Sequence, residues 1–304
     1  MQITDPEVLR FIADTQAVYP DEANHASTAE NRRMYDAMCA VFRQPRPEGL
    51  PVADAVVAGV PVRRYTPTGS EARPFLLYSH GGGFVVGGLD SHDDVCAELA
   101  VATGCEVVSV DYRLMPEHPF PAQIDDVSAV WEAETAKGRA GIAIGDSAGG
   151  NLSAALCFRM RRTGGAMPLA QVLIYPGLGG PTDAPSYTEN AEAPMLRAKD
   201  VLAYRKTMSP EALEIRRTDP EAAPLVARSF DGLPPAFIVT ADVDPLRDDG
   251  PAYQAALQAA GIRADWRNEP QLVHGYLRAR HCARRAGASF RAICDWINAA
   301  LAPA

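Results

Sequence analysis

Gly145-Asp146-Ser147-Ala148-Gly149-Gly150 is the stretch on which the rest of the chain is organised. Ahead of it stands Ala140-Gly141-Ile142-Ala143-Ile144, a short apolar run that suits a buried strand. Behind it runs Asn151 to Met160, rich in good helix formers. A serine between glycines, with strand before and helix after, reads as a nucleophile elbow. In such a turn the backbone is strained, and Ser147 Oγ stands exposed at the positive end of a helix. The competing reading, a chance G-x-S-x-G in a glycine-rich loop, loses ground to that flanking pattern.

A second glycine run, His80-Gly81-Gly82-Gly83, follows the apolar strand Phe75-Leu76-Leu77-Tyr78. Three glycines in a row weaken any regular element but free backbone N–H groups to point at something. A phosphate cradle would ask for G-K-[ST] or Rossmann spacing, and neither is present. Beside an elbow serine the target is an oxyanion, with Gly82, Gly83 and Ala148 as donors. His80 is expected to pin this loop through its backbone. Phe84, next to the glycines, is a candidate substrate contact.

The base must come from His25, His80, His92, His118, His274 or His281. Only His274 falls in a loop after the last expected strand, Ala264 to Asn268. His281 reads as the start of the closing helix. The orienting acid should follow the strand Ala236 to Thr240, where Asp242, Asp244, Asp248 and Asp249 crowd together. Asp244 before Pro245 also suits a helix N-cap. On the residues alone, Asp242 and Asp244 both remain open.

Strands alternating with helices from Pro51 onward imply an α/β fold, a mostly parallel sheet covered on both faces. Two regions lie outside that rhythm. Residues 1–45 carry two helices, one capped by Thr4 or Asp5 with Pro6, the other opening at Ser27 with Glu30 in capping-box position. On the second, Met34, Met38 and Val41 are spaced to share one apolar face. Gly177 to Pro235 is long, strand-poor and helical near Ala198 to Met208. The chain therefore divides into cap helices at 1–45 and a catalytic domain at 46–304 with a cap insertion at about 177–235. Met38 is the cap's candidate substrate contact.

The chain of 304 residues has 29 Lys and Arg against 38 Asp and Glu, a net charge of −9, so no basic stripe is available for nucleic acid. No apolar run is long enough for a membrane span, and no signal segment is apparent. The six cysteines lack metal-site spacing and read as reduced core residues, which suggests the cytoplasm. No metal or cofactor is expected.

Four motifs in this order resemble the bacterial hormone-sensitive lipase-like esterases, which have the α/β-hydrolase fold. They are His80-Gly81-Gly82-Gly83-Phe84, the segment Asp111 to Ala122, Gly145-Asp146-Ser147-Ala148-Gly149-Gly150, and Asp244-Pro245-Leu246-Arg247-Asp248. The resemblance spans the chain from about Val52 onward. It implies Ser147 as nucleophile, Asp244 as acid, His274 as base, and Gly82, Gly83 and Ala148 as oxyanion hole. It also implies a lid built from the N-terminal helices and the insertion, a small-molecule ester substrate, and an option of homodimers through the edge strand Ala264 to Asn268. Met115 stands where the family usually has a small residue. Expected chemistry is hydrolysis of short- to medium-chain carboxylic esters. The same triad would serve an amide, lactone or carbamate, and a silent ligand-binding module is the reading from another class.

Overall fold

In the computed structural model, residues 3–20, 26–206 and 210–302 are described. Eight strands form one sheet in the order β1-β2-β4-β3-β5-β6-β7-β8. They are β1 Val52–Val57, β2 Val60–Tyr65, β3 Phe75–Ser79, β4 Val107–Val110, β5 Gly141–Asp146, β6 Gln171–Ile174, β7 Ala236–Val243 and β8 Ala264–Val273. The β1–β2 hairpin and the β2–β4 pair are antiparallel, and every other pairing is parallel.

The parallel strands are apolar on both sides because helices cover both faces. Leu76, Tyr78, Ile142 and Ile144 pack with α3 (Asp93–Thr103) and α10 (Arg284–Ala300). Their alternates Phe75, Leu77 and Ala143 meet α4 (Ala122–Thr135) and α5 (Ala148–Thr163). Further along the sheet, Leu173 and Ile238 pack on α9 (Asp249–Ala259). This crossover topology places the carboxyl ends of β3, β5, β7 and β8 along one rim.

The N-terminal helices are α1 (Pro6–Gln16) and α2 (Thr28–Phe42). Asp5 caps α1 with Pro6 at its start, and Ser27 Oγ accepts the Glu30 amide. Glu30 itself turns to Arg33, so only half of the capping box forms. The expected Met34–Met38–Val41 face is corrected. Val41 is exposed, and the buried face runs Asn31, Tyr35, Met38, Cys39 and Phe42. Apolar spacing does not find it because Asn31 and Tyr35 are buried by hydrogen bonding, Asn31 Oδ1 accepting from Tyr19 at 2.5 Å. Residues 177–235 carry α6 (Pro185–Glu189), α7 (Ala198–Lys206) and α8 (Pro210–Ile215), and no strand among the described residues. Met208, at the end of the expected helical patch, lies outside the described residues.

Three boundaries also differ from expectation. β8 continues past Asn268 to Val273, directly before His274, and α9 begins at Asp249 instead of Leu246. His281 closes a short 3₁₀ turn, Tyr276–His281, ahead of α10.

At the amino end of the sheet, Glu134 accepts from Arg64, Lys137 and Arg139. Burial pushes its carboxyl up, but these three cations outweigh burial and bring it from 4.5 down to about 2. A carboxyl depressed on folding stabilises the fold above its unfolded value and loses that contribution as pH falls through the folded one. Between pH 4.5 and 2, Glu134→Gln should therefore lose unfolding free energy less steeply than wild type. Equal slopes in urea titrations across that window would contradict the assignment.

Candidate active site

β5 ends at Asp146 and α5 begins at Ala148, so Ser147 alone makes the turn, with φ 53° and ψ −116°. That conformation is costly for a residue with a side chain and is held by its surroundings. A β-carbon on Gly149 would lie 1.8 Å from the Ser79 carbonyl oxygen, and one on Gly81 would lie 2.4 Å from Asp146 Oδ2. The elbow and the glycine run are thus pressed together where side chains are missing.

Asp146 is the joint between them. Its Oδ1 accepts from the Gly81 amide at 2.9 Å and from Tyr78 OH at 2.8 Å, and Oδ2 accepts from Tyr175 OH at 3.3 Å. Burial works to raise this carboxyl, yet His92 at 3.3 Å, Arg278 and Tyr78 hold it well below the usual range. It is an anion at neutral pH, fixed behind the serine.

Ser147 Oγ lies 2.8 Å from His274 Nε2, and His274 Nδ1 lies 2.7 Å from Asp244 Oδ2. Asp244 is buried, and its other oxygen accepts the Leu246 amide at 2.8 Å, which fixes the carboxylate plane. The four acids that the sequence crowds together take separate partners. Asp242 turns to β8, accepting from Asn268 Nδ2 at 2.9 Å. Asp248 accepts the Ser186 amide and Asp249 the Leu178 amide. Asp244 caps a turn, not α9, while facing the imidazole.

The other histidines lie elsewhere. His80 is buried, stacked on Tyr112 at 4.2 Å with Nδ1 2.8 Å from the Gly81 carbonyl, and burial and His92 lower it to about 4. It is a neutral brace of the glycine loop. His92 faces Asp146, His281 pairs with Glu98, and His118 is exposed. His25 lies outside the described residues.

A cavity of about 170 Å³ opens over Ser147 and His274. Gly82, Gly83 and Ala148 line it. The amides of the two glycines meet no acceptor among the described residues, and Ala148 opens α5, where amides lack intrahelical partners. Both candidate substrate contacts, Met38 and Phe84, are in the wall. So are Tyr35 and Thr15 from the N-terminal helices and Met195, Leu196 and Tyr204 from the insertion, residues that apolar patterning does not single out. Phe84, Ser147, Tyr175 and Met195, all in this wall, have positive φ without being glycine. Backbone strain concentrates there, as at working sites generally.

Residues 76–278 match the sequence profile of a family described as having the α/β-hydrolase fold. The chain belongs to that family. Within it, the chain falls in the bacterial hormone-sensitive lipase-like branch. It is 41% identical to carboxylesterase NlhH of Mycobacterium tuberculosis, across 90% of this chain and 88% of that protein. An ethyl acetate hydrolase of Pseudomonas putida is 32% identical, covering 84% and 85%. The crystal structure of an esterase from the bacterial hormone-sensitive lipase family superposes with a TM-score of 0.86 at 28% identity, covering 99% and 100%. Among the described residues no cluster of His, Cys, Asp and Glu forms a metal site, and no helix is long and apolar enough to cross a membrane.

The close contact at Gly149 gives a direct test. Gly149→Ala should cost about 3 kcal/mol or more, since the clash is with backbone that cannot rotate away. Gly164→Ala, where φ is 70° but the space is open, should cost only about 1–2 kcal/mol. Urea unfolding of the two variants checks the ordering, and equal costs would refute it.

Proposed function

We propose that this carboxylic ester hydrolase works through Ser147 as nucleophile, His274 as base and Asp244 as orienting acid, on short- to medium-chain esters. The observation that carries the reading is the unbroken hydrogen-bond chain from Ser147 Oγ through His274 to Asp244 Oδ2. Support for the reaction class comes from the relatives named carboxylesterase and ethyl acetate hydrolase.

Neutral His274 takes the Ser147 proton at Nε2 as Oγ attacks the ester carbonyl. Asp244 holds the Nδ1 proton in place and stabilises the imidazolium that forms. Gly82, Gly83 and Ala148 amides donate to the oxyanion, preset by the Asp146 joint so that little reorganisation is needed. His274 then protonates the leaving alcohol, and water repeats the sequence on the acyl-enzyme.

The N-terminal helices and the 177–235 insertion act as the lid. Tyr19 and Tyr204 are hydrogen-bonded across it, and Tyr204 lies over Gly83. A volume near 170 Å³ is comparable to an engineered cavity that admits benzene, which suits small acyl groups. We place the enzyme in the cytoplasm, in keeping with six unpaired thiols, and extend the proposal to homodimers through the edge of β8.

Ser147→Ala should fold normally and lose on the order of 10³-fold or more in kcat, and a phosphonate ester should label Ser147 in the wild type alone. Asp244→Asn should lose about 10³- to 10⁴-fold, whereas Asp242→Asn should lose far less. Reversed losses for the two aspartates would overturn the assignment.

A separate check is chain length. With p-nitrophenyl esters, kcat/KM should peak for acyl groups of roughly two to eight carbons. A peak on emulsified long-chain esters would refute the enclosed-pocket reading.

A further inference from the structure

Among the charges that line the cavity, one stands apart. Asp146 has its tyrosines and His92, Arg197 pairs with Asp200 at 2.8 Å, Arg216 donates to the Ala222 carbonyl, and Asp249 accepts the Leu178 amide. Arg278 has no carboxylate in contact among the described residues, and Asp146 acts on it only across space. Its Nε approaches Cys39 Sγ at 3.4 Å, one terminal nitrogen donates to Tyr35 OH, and the guanidinium lies 5.0 Å from the Tyr35 ring centre. The other terminal nitrogen, Nη1, lies 3.2 Å from where a β-carbon on Gly275 would stand, one residue from His274.

A guanidinium enclosed by protein without a counter-ion in contact is costly. That cost is conspicuous in a chain with 38 acids and 29 bases. Two residues along the same 3₁₀ turn, Arg280 meets Asp94 at 2.6 Å and Glu98 at 2.8 Å. Tyr35 and Cys39 use only part of the donor fork of Arg278, which is suited to bidentate carboxylate binding. Dependence of Arg278 on α2 alone would not require a full charge, since a neutral donor could reach a phenol.

We infer that Arg278 is a specificity residue that receives a second, ionised carboxylate on the ester. The preferred substrates are then half-esters of dicarboxylic acids or hydroxy acids acylated on the hydroxyl, each of which keeps a free carboxylate. This rests on the esterase reading of Ser147, His274 and Asp244.

The test compares matched substrates on wild type, Arg278→Lys and Arg278→Met, each checked for thermal unfolding. One arm sets mono-4-nitrophenyl glutarate against 4-nitrophenyl pentanoate, with the charge on the acyl side. The other sets 4-acetoxybutanoate against butyl acetate, with the charge on the alcohol side. In at least one arm, Arg278→Met should lower kcat/KM for the charged ester about 10- to 100-fold more than for the neutral one, chiefly through KM. Arg278→Lys should recover part of that difference, and it serves alone if the methionine variant does not fold. Equal losses for charged and neutral esters in both arms would overturn the inference and leave Arg278 a clasp for α2. Wild type without turnover of either neutral ester would overturn the esterase reading instead.

Discussion

Contact between two glycine-bearing turns governs this molecule. The elbow can approach the end of β3 only because Gly145, Gly149 and Gly81 present no β-carbon, and Asp146 locks the approach by accepting the Gly81 amide. A carboxylate in that position would be costly on its own. Tyr78, Tyr175, His92 and the Gly81 amide offset that cost by satisfying its oxygens. Everything that faces the cavity from the sheet then follows. Ser147 is forced into its strained turn, and the free amides of the glycine loop are aimed from fixed backbone.

The N-terminal helices are bound to the same frame. Arg32 on α2 donates to the Val85 and Met115 carbonyls and pairs with Glu117, so one side chain ties the helix to the glycine loop and to the bracing segment after β4. At the other end, Gln271 on β8 accepts the Thr4 amide, while Asp5 and Glu7 pair with Arg285 and Arg284. These exposed pairs contribute little each. Burial of Val8, Phe11, Met38 and Phe42 in the same core cluster as the sheet contributes more. The helices thereby join the strand that ends just before His274 to the glycine loop.

How much of this is legible in the sequence depends on how local each feature is. The elbow, the glycine run and the position of His274 are written in short stretches, because a tight turn constrains its own residues. The choice between Asp242 and Asp244 is not local. It depends on β8 running past Asn268 to Val273, which sets the Gln271 amide against Asp242 alongside Asn268, and on β7 ending at Val243, which frees Asp244 to turn. The buried face of α2 is hidden for a related reason. Asn31 and Tyr35 are interior through hydrogen bonds to Tyr19 and Arg278, partners distant in the chain or on another element, which apolar periodicity does not register. Arg278 escapes notice likewise, since a charged residue in a polar stretch reads as surface.

The division of labour between backbone and side chain has a consequence for how such a site changes. The amides that face the cavity from the glycine loop belong to the main chain, and their placement depends on glycines and on Asp146, so almost any alteration there disturbs the sheet itself. The cavity wall is different. Met38, Tyr35, Met195, Tyr204 and Arg278 contribute side chains from helices and loops laid over the rim, and methionine in particular accommodates varied shapes. Substitutions in that wall alter which esters fit while the hydrogen-bond chain from Ser147 to Asp244 keeps its geometry. Arg278 belongs to the wall by contact, yet it sits three residues beyond Gly275 on the turn that follows His274. The proposed charge recognition is thereby mounted on the same short segment as His274, so a carboxylate held by Arg278 is positioned relative to that imidazole with only one turn of backbone between them.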